Sequence, residues 1–331
     1  MVELSVRTVC YALRAPLRAS WGELHERETL RVRLEFPDGL YGEGEAAPLE
    51  PFDGVSLASV SAAIDAYKAV LGAIEPTADV LAACKAERDL PQALAAIDMA
   101  LWDHASRRTG TPLAKLIHPL AADEVAVNAT IGADDRAGAA EAAAAAVRDG
   151  FRCVKVKVGV GDDAGRLAAV RAAVGPDVLI RVDANGAWRS PEEALAHLRA
   201  LAPVGLELCE EPIHGVENLR AVAAGSPVRI AMDETHAPDS GAAELVCLKI
   251  SRGGISAVLE DARKARAAGS SVYLTSTFDG PLGIATGVHT AAALRISRAC
   301  GLATLQNFAE PTGAPEPRGG SIAVPSVPGL A

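Results

Sequence analysis

Three acids close three successive short apolar runs. Asp183 ends VLIRVD, Glu210 ends LELCE and Asp233 ends VRIAMD. Lysines flank the set, with Lys155 and Lys157 upstream in CVKVKV and Lys249 downstream in VCLKI. Carboxylates are hard oxygen donors, so three of them at the ends of neighbouring strands can converge on one hard divalent cation. Mg²⁺ suits such a set because it keeps water positions open for substrate oxygens, and Mn²⁺ could replace it. One acid at a strand end reads equally as a helix N-cap. Three in consecutive units argue for a shared ion.

Lys155 and Lys157 are two residues apart, so on a strand both side chains point to one face. The bland alternative is a strand end from which both snorkel to water. A lysine base must shed its proton near neutral pH. From a reference pKa of about 10.4, reaching about 7–8 costs roughly 3.5–5 kcal/mol. A neighbouring ammonium, a nearby dication and burial all push that way, and Lys157 has all three available. The reaction that fits is removal of a proton next to a carboxylate. The resulting dianionic enediolate needs concentrated positive charge, which a metal supplies. Lys249, two strands beyond Glu210, would approach from the opposite side. Asn185 follows Asp183 by two residues, in the turn after the strand.

Two other classes could use the same residues. A Schiff-base aldolase would employ Lys157 or Lys249 as nucleophile. A non-catalytic small-molecule binder would need neither lysine. No H-x-x-x-H, G-x-S-x-G or P-loop pattern occurs. His214, just after Glu210-Glu211-Pro212, and His236, just after Asp233, could line a pocket or sit in exposed loops. Trp102 and Trp188 read as packing residues.

The elements that would position these groups follow from period and punctuation. Leu4–Tyr11, Glu28–Phe36 and Tyr41–Ala46 carry strand formers, with a Pro37-Asp38-Gly39 turn before the last. Helical patterns follow at Ser56–Leu71, Asp79–Arg88 and Pro91–Arg108, the last stopped by Gly110 and Pro112. From Val125 the texture alternates. Apolar runs recur at Val125–Ile131, Cys153–Val158, Val178–Asp183, Leu206–Glu210, Val228–Asp233, Leu245–Ile250, Ser271–Ser276 and, more weakly, Ala303–Phe308. Alanine-rich helical stretches lie between most of them, at a repeat of roughly 25 residues, the size of a βα unit. About eight such strands predict a closed parallel barrel. A doubly wound open sheet is the alternative, but Val158-Gly-Val-Gly161 matches its glycine fingerprint poorly. The Glu234–Glu244 connection is too short for a full crossover helix, so a loop or a single helical turn is expected there.

The bulk properties agree with a small-molecule enzyme. The chain has 331 residues, enough for a large domain plus a small one. A net charge of −10 argues against nucleic acid as the main partner. Neither a signal peptide nor a membrane span is expected. The six cysteines are scattered without a C-x-x-C pair, which suggests free buried thiols in a reducing, cytoplasmic setting. A homo-oligomer is left open.

In order, these motifs resemble the enolase superfamily, and within it the muconate-lactonizing-enzyme subgroup. The resemblance rests on GEGEAAPL at 42–49, ALAAIDMALWDHASRRTGTPLAKLI at 93–117, KVKVG at 155–159, VDANGAW at 182–188, EEP at 210–212, MDET at 232–235 and LKISRGGI at 248–255. It implies an α/β fold, a modified (β/α)₇β TIM barrel over residues 123–308. An N-terminal α+β capping domain would span 1–122, with a tail, 309–331, packing back on it. It implies Mg²⁺ on Asp183, Glu210 and Asp233, Glu210 being preferred over Glu211 as the first acid of EEP. It implies Lys157 and Lys249 as the acid/base pair, with Lys155 beside them. The substrate would be a small carboxylate. Candidate contacts are Asn185, Glu211, Thr275, Thr277 and Asp279 on the barrel side, with Trp21, Phe52 and Asp53 from the capping loops Leu17–Trp21 and Pro51–Gly54. YLTSTFDGPLG at 273–283 lacks the histidine of the mandelate-racemase branch. The compact length, the short fifth unit and STFDGPLG look like o-succinylbenzoate synthases, which dehydrate a cyclohexadiene carboxylate on the menaquinone pathway. There Lys157 would take the α-proton and Lys249 would stabilise charge. TSTFDG departs from the double-serine and glutamate pattern of those synthases. The alternative is a dipeptide epimerase or N-acylamino acid racemase, and after it a muconate-type cycloisomerase. GLATLQNFAEP at 301–311 lacks the Asp-x-Asp that dipeptide epimerases often carry near the last strand.

Overall fold

A computed structural model of the chain describes residues 2–19, 22–73, 79–132, 135–310 and 313–330. The first three strands, β1 (Glu3–Ala19), β2 (Gly22–Glu35) and β3 (Tyr41–Ala46), form an antiparallel sheet in that order. β1 and β2 run further than their apolar patterns suggest. Their ladder continues past a register shift after Ala12 and pairs Leu17 with Leu24. Most side chains there are exposed, so backbone pairing extends the hairpin without a hydrophobic alternation to announce it. The helices α1 (Glu50–Asp53), α2 (Leu57–Ala73), α3 (Val80–Glu87), α4 (Pro91–Thr109) and α5 (Leu113–Ile117) follow. Asp79 caps α3 by accepting from the Ala82 N–H, and Gly110 ends α4 in a left-handed conformation.

The GEG of GEGEAAPL has a packing cause. Gly42 and Gly44 alternate along β3, so both face α4. A Cβ would stand 1.8 Å from the Ala100 carbonyl oxygen at Gly42 and 2.0 Å from that of Ala96 at Gly44. Only glycine lets helix and sheet approach this closely.

The second half is a parallel barrel. Along the chain come β4 (Glu124–Ala126), β5 (Ala129–Ile131), α6 (Arg136–Arg148), β6 (Cys153–Lys157), α7 (Asp163–Val174), β7 (Leu179–Asp183), α8 (Pro191–Leu201), β8 (Leu206–Glu210), α9 (Val216–Gly225), β9 (Arg229–Met232), β10 (Leu245–Leu248), α10 (Gly254–Ala267), β11 (Ser271–Leu274), α11 (Pro281–Ala293) and β12 (Ser321–Ala323). Strands β5 to β11 form one parallel sheet in sequence order. Its two edges meet through Cys300, which pairs with Val127, and Gly301, which pairs with Thr275. The closing stave therefore lies just before the expected Ala303–Phe308 run. That run holds a 3₁₀ turn at Thr304–Asn307, and it is apolar because Ala303, Leu305 and Phe308 are buried. The Val125–Ile131 run also divides: β4 pairs antiparallel with β12, and β5 enters the barrel. Between β9 and β10 no helix forms, as the eleven-residue spacing implied.

Hydrogen bonds join the two halves. Ser256 at the start of α10 donates its N–H to Asp98 Oδ2 (3.0 Å) and accepts at Oγ from Trp102 Nε1 (3.0 Å). The Gly280 N–H donates to Glu45 Oε1 at 2.6 Å. Buried Arg27 donates to the Ala47, Pro48 and Phe278 carbonyls. Near the end of the chain, Gly329 N–H donates to Ser106 Oγ (2.9 Å) and Leu330 N–H to Asp103 Oδ1 (2.7 Å), both on α4. Five cysteines are buried as expected, whereas Cys10 is exposed on β1. Among the described residues no helix is long and apolar enough to cross a membrane.

Candidate active site

Parallel strands present their C-terminal ends at one mouth of a barrel, and all the chemistry-bearing residues arrive there. Lys155 and Lys157 come from β6, Asp183 closes β7, Glu210 closes β8, Asp233 follows β9 and Lys249 follows β10. Register fixes the neighbours: Lys157 lies opposite Asp183, and Asp183 opposite Glu210. Each of the six side chains is buried.

Charge is paired across the site. Lys157 Nζ donates to Asp183 Oδ2 at 2.7 Å and to Asn185 Oδ1 at 2.8 Å. Lys155 Nζ bridges Asp183 Oδ2 (2.9 Å) and Glu210 Oε1 (3.2 Å). Lys249 Nζ sits 2.9 Å from Asp233 Oδ2 and donates to Thr275 Oγ1 at 2.6 Å. Burial raises the Asp183 pKa, but the Lys155 and Lys157 ammonium groups outweigh it and hold the carboxyl well below its usual range. Burial likewise acts on Asp233, and Lys249 and Arg252 outweigh it, so the net shift is downward. Glu210 moves the other way, because burial dominates and Asp183 and Asp233 add to it. Burial favours the neutral amine at Lys155 and Lys249. Asp183 and Asp233 respectively override it, and both lysines are held above their ordinary value. The lowering expected of a lysine base is thus reversed at these two by the acids they touch.

The donor set fits a hard divalent ion. One oxygen each of Glu210 and Asp233, with Cys247 Sγ, lie within 4.8 Å of one another. Asp183 adjoins Glu210 across Lys155. Cys247 is a poor competitor for a ligand position. Burial, then Asp233, pushes its thiol well up, so it stays protonated within 2.9 Å of the Thr275 hydroxyl. Glu210 and Asp233 remain as the clustered anionic donors, with Asp183 outside that cluster but joined to Glu210 through Lys155, and carboxylates favour oxygen-seeking cations over soft ones.

A small cavity touches most of these groups, Glu210 lying outside its lining. Lys155, Lys157, Asp183, Asn185, Asp233, Lys249, Thr275 and Thr277 line it from the barrel, and Leu17, Leu49 and Phe52 from the capping side. The Phe52 ring centroid lies 5.1 Å from Lys249 Nζ. Other expected contacts lie elsewhere. The Asp53 carboxylate accepts the Leu49 and Val55 N–H groups and so shapes its own loop. Asp279 accepts from the Thr277 hydroxyl and lies behind that residue. The Glu211 carboxylate is turned away from the cavity. It accepts the N–H groups of Asp233 (2.7 Å) and Thr235 (2.9 Å) and so fixes the loop that carries Asp233. Trp21 lies outside the described residues. His214 is largely exposed beside Glu211, and His236 lies 3.3 Å from Asp261; neither lines the cavity.

Three participants were not anticipated. Tyr273 donates its hydroxyl to Glu210 Oε2 at 2.7 Å. Arg252 donates to the Asp233 carbonyl at 2.8 Å. Glu234 Oε1 accepts from Asn185 Nδ2 at 2.9 Å, and so ties Asn185 from the side opposite Lys157. Tyr273 was legible in principle, since it precedes Thr275 by two on one strand and must share its face. Arg252 and Glu234 lie in turns, where no period applies.

The family follows from comparison of the whole chain. A family model described as "Mandelate racemase / muconate lactonizing enzyme, N-terminal domain" matches residues 1–118, and one described as "Enolase C-terminal domain-like" matches residues 138–331. The chain belongs to the enolase superfamily. Within it, the chain is an enzyme of the muconate-lactonizing subgroup, and its fold is that superfamily's capped, modified TIM barrel. The hydrophobic dipeptide epimerase of Enterococcus faecalis is 30% identical over 90% of this chain and 88% of its own length. Its structure, complexed with Mg and the dipeptide L-Leu-L-Tyr, superposes with a TM-score of 0.92 at 26% identity, covering 99% of this chain and 98% of that one. The N-succinyl-L-Arg/Lys racemase of Bacillus cereus is 27% identical over 86% of this chain and 83% of its own length. The o-succinylbenzoate synthase of Thermobifida fusca is 38% identical, but over only 56% of this chain and 61% of its own length. These full-length likenesses favour the epimerase and racemase alternative over the synthase reading drawn from length and local motif.

Proposed function

We propose that this enolase-superfamily enzyme transfers protons at the carbon next to a carboxylate and inverts that centre in an N-acylamino acid or dipeptide. One observation carries the reading: Lys157 and Lys249 line the same cavity from β6 and from the end of β10, with the strands bearing the three acids between them. Two amines on two sides of one site suit a reaction in which one removes a proton and the other returns one to the opposite face. Asp183, Glu210 and Asp233 would hold Mg²⁺, and their oxygen donors would also accept Mn²⁺. Bound there, the cation would supply the positive charge that acidifies the α-proton. Cation charge near Lys157 and Lys249 also favours their neutral forms, the direction a base requires. Asn185 orients Lys157, and Thr275 orients Lys249.

The lining narrows the substrate. Its described carboxylates are Asp183 and Asp233, and both are engaged with lysines. Among the described lining residues, no acid is left for a free substrate ammonium to meet. An N-acylated amino acid therefore suits the cavity better than a dipeptide with a free amine.

The synthase is the second reading, supported by the 38% identity to the Thermobifida fusca protein. One experiment separates them. The protein is incubated with Mg²⁺ in D₂O with N-succinylamino acids and with L,L-dipeptides, and α-deuterium and configuration are followed. In parallel, loss of the cyclohexadiene absorbance is measured. Deuterium entry with inversion, fastest on N-succinyl substrates, is the expected outcome. A higher kcat/KM for dehydration would transfer the assignment to the synthase. Silence in every arm would refute both.

A further inference from the structure

The opposite mouth of the barrel holds a second cavity, of about 510 Å³. It opens where the strands begin, beside Leu179 of β7 and Ser271 of β11, far along the strands from the lysines. Its walls carry Arg266 from the end of α10, Arg295 and Arg298 from the segment after α11, and the side chains of Ser271 and Ser297. One carboxylate, Glu207, lines it, and that group is already neutralised twice. Glu207 Oε1 accepts from Arg298 Nη1 at 2.6 Å, and Oε2 accepts from the fully buried Arg181 Nε at 2.6 Å. Three arginines thus line the cavity against one acid, with Arg181 buried behind that acid, a local surplus of positive charge in a chain whose net charge is −10.

Two further observations separate this cavity from an ordinary basic crevice. Arg181 Nη2 is buried without a hydrogen-bond partner, although Nε and Nη1 are both satisfied by cavity residues, Glu207 and Ala299. The second observation is the backbone of Arg295. It stands at φ 53° just after Leu294, the C-cap of α11, where Ile296 N–H bonds the Ala291 carbonyl and Arg295 N–H the Ala292 carbonyl. That is the helix-terminating position at which glycine is normally required. A long, charged residue is kept there against its conformational preference, and that residue lines the cavity. Strain retained at one residue points to a use for its side chain.

We propose that this cavity binds a small polyvalent anion carrying phosphate or carboxylate groups. Guanidinium groups present paired N–H donors that match such oxygens two at a time. The Arg295 side chain makes no described hydrogen bond or ion pair, Arg266 spends Nη2 on the Leu294 carbonyl, and Ser270, Ser271 and Ser297 complete the lining. The site is independent of the catalytic reading.

Isothermal titration with pyrophosphate and with citrate, at ionic strength matched with NaCl, tests the proposal. Wild-type protein should bind one of them, and the preferred probe identifies phosphate or carboxylate chemistry. Arg295→Gly should weaken that binding at least tenfold while raising the melting temperature of the unliganded protein, because it relieves the left-handed backbone. Opposite signs in the two readouts distinguish a ligand role from a structural one. Arg266→Ala should weaken binding without raising the melting temperature. Heats no larger than those of NaCl would overturn the proposal. So would Arg295→Gly binding as tightly as wild type, since the anion would then sit elsewhere, such as at the catalytic lysines.

Discussion

Asp183 serves two lysines, whereas Asp233 serves Lys249 and Arg252. The two sides of the cavity are therefore unequal, and single substitutions should expose their roles. Lys157→Ala removes the group placed to take the α-proton. Turnover should fall by about 10²–10⁴-fold, with far-UV circular dichroism unchanged. Asp233→Asn should abolish turnover similarly, because it removes both a candidate ion ligand and the charge partner of Lys249. Substantial residual activity in either variant would argue against the proposed chemistry. Tyr273→Phe is a subtler probe. It leaves Glu210 Oε2 without its donor in a fully buried setting, a loss of about 1–3 kcal/mol that a denaturant titration would register. At this scale the sequence was most informative where chemistry is rare. Acids and lysines at the ends of apolar strands are costly to bury unless each finds a partner or a task. The Glu211 carboxylate was harder to read, since it looked like a substrate contact and instead holds the Asp233 loop in place.

The elements carry the constraints that side-chain chemistry does not. β3 lies on α4 because Gly42 and Gly44 offer no Cβ. Gly44→Ala would drive a methyl group into the Ala96 carbonyl and should destabilise the protein by about 1–3 kcal/mol, as overpacking does, seen as a lower melting temperature. Glu45, the next residue, ties β3 to the start of α11. Burial, then Asp279, pushes its pKa up to about 8. A carboxyl with a raised folded-state value favours folding most when protonated. Its contribution is complete below the unfolded value of about 4.3 and is lost as pH climbs through about 8. Glu45→Gln should flatten the fall in melting temperature across that window, and an unchanged pH profile would exclude Glu45 as its source. Helices with caps and glycine stops were readable along the sequence, as were strands with one buried face. The far end of the first hairpin was not, because exposed backbone pairing leaves no apolar alternation. The closing stave was displaced for a related reason: the more apolar stretch beside it is buried as a turn.

For the whole molecule, a site assembled from β7, β8 and β9 exists only when the barrel is folded, so a ligand of that site must stabilise the barrel. At about 100 times its dissociation constant, Mg²⁺ should add about 2.7 kcal/mol and raise the melting temperature by a few degrees. EDTA should reverse the shift, and Asp183→Asn should eliminate it. An equal shift in that variant would place the ion elsewhere. The broad architecture was legible because eight apolar runs at a βα repeat admit few closed solutions. Substrate identity was not, because the capping segments that reach the cavity through Leu17, Leu49 and Phe52 follow no period.

The last stretch of chain has a consequence for how the protein is made. Asp103 on α4 holds the Glu43 N–H of β3 with one oxygen and the Leu330 N–H with the other, and β12 is laced to β4 on the way there. The capping strands come early in the sequence, yet the residue that clasps Asp103 comes hundreds of residues later. A ribosome must therefore release residue 330 before this clasp can close, and until then the nascent cap relies on the bonds of Asp98, Glu45 and Arg27 to the barrel.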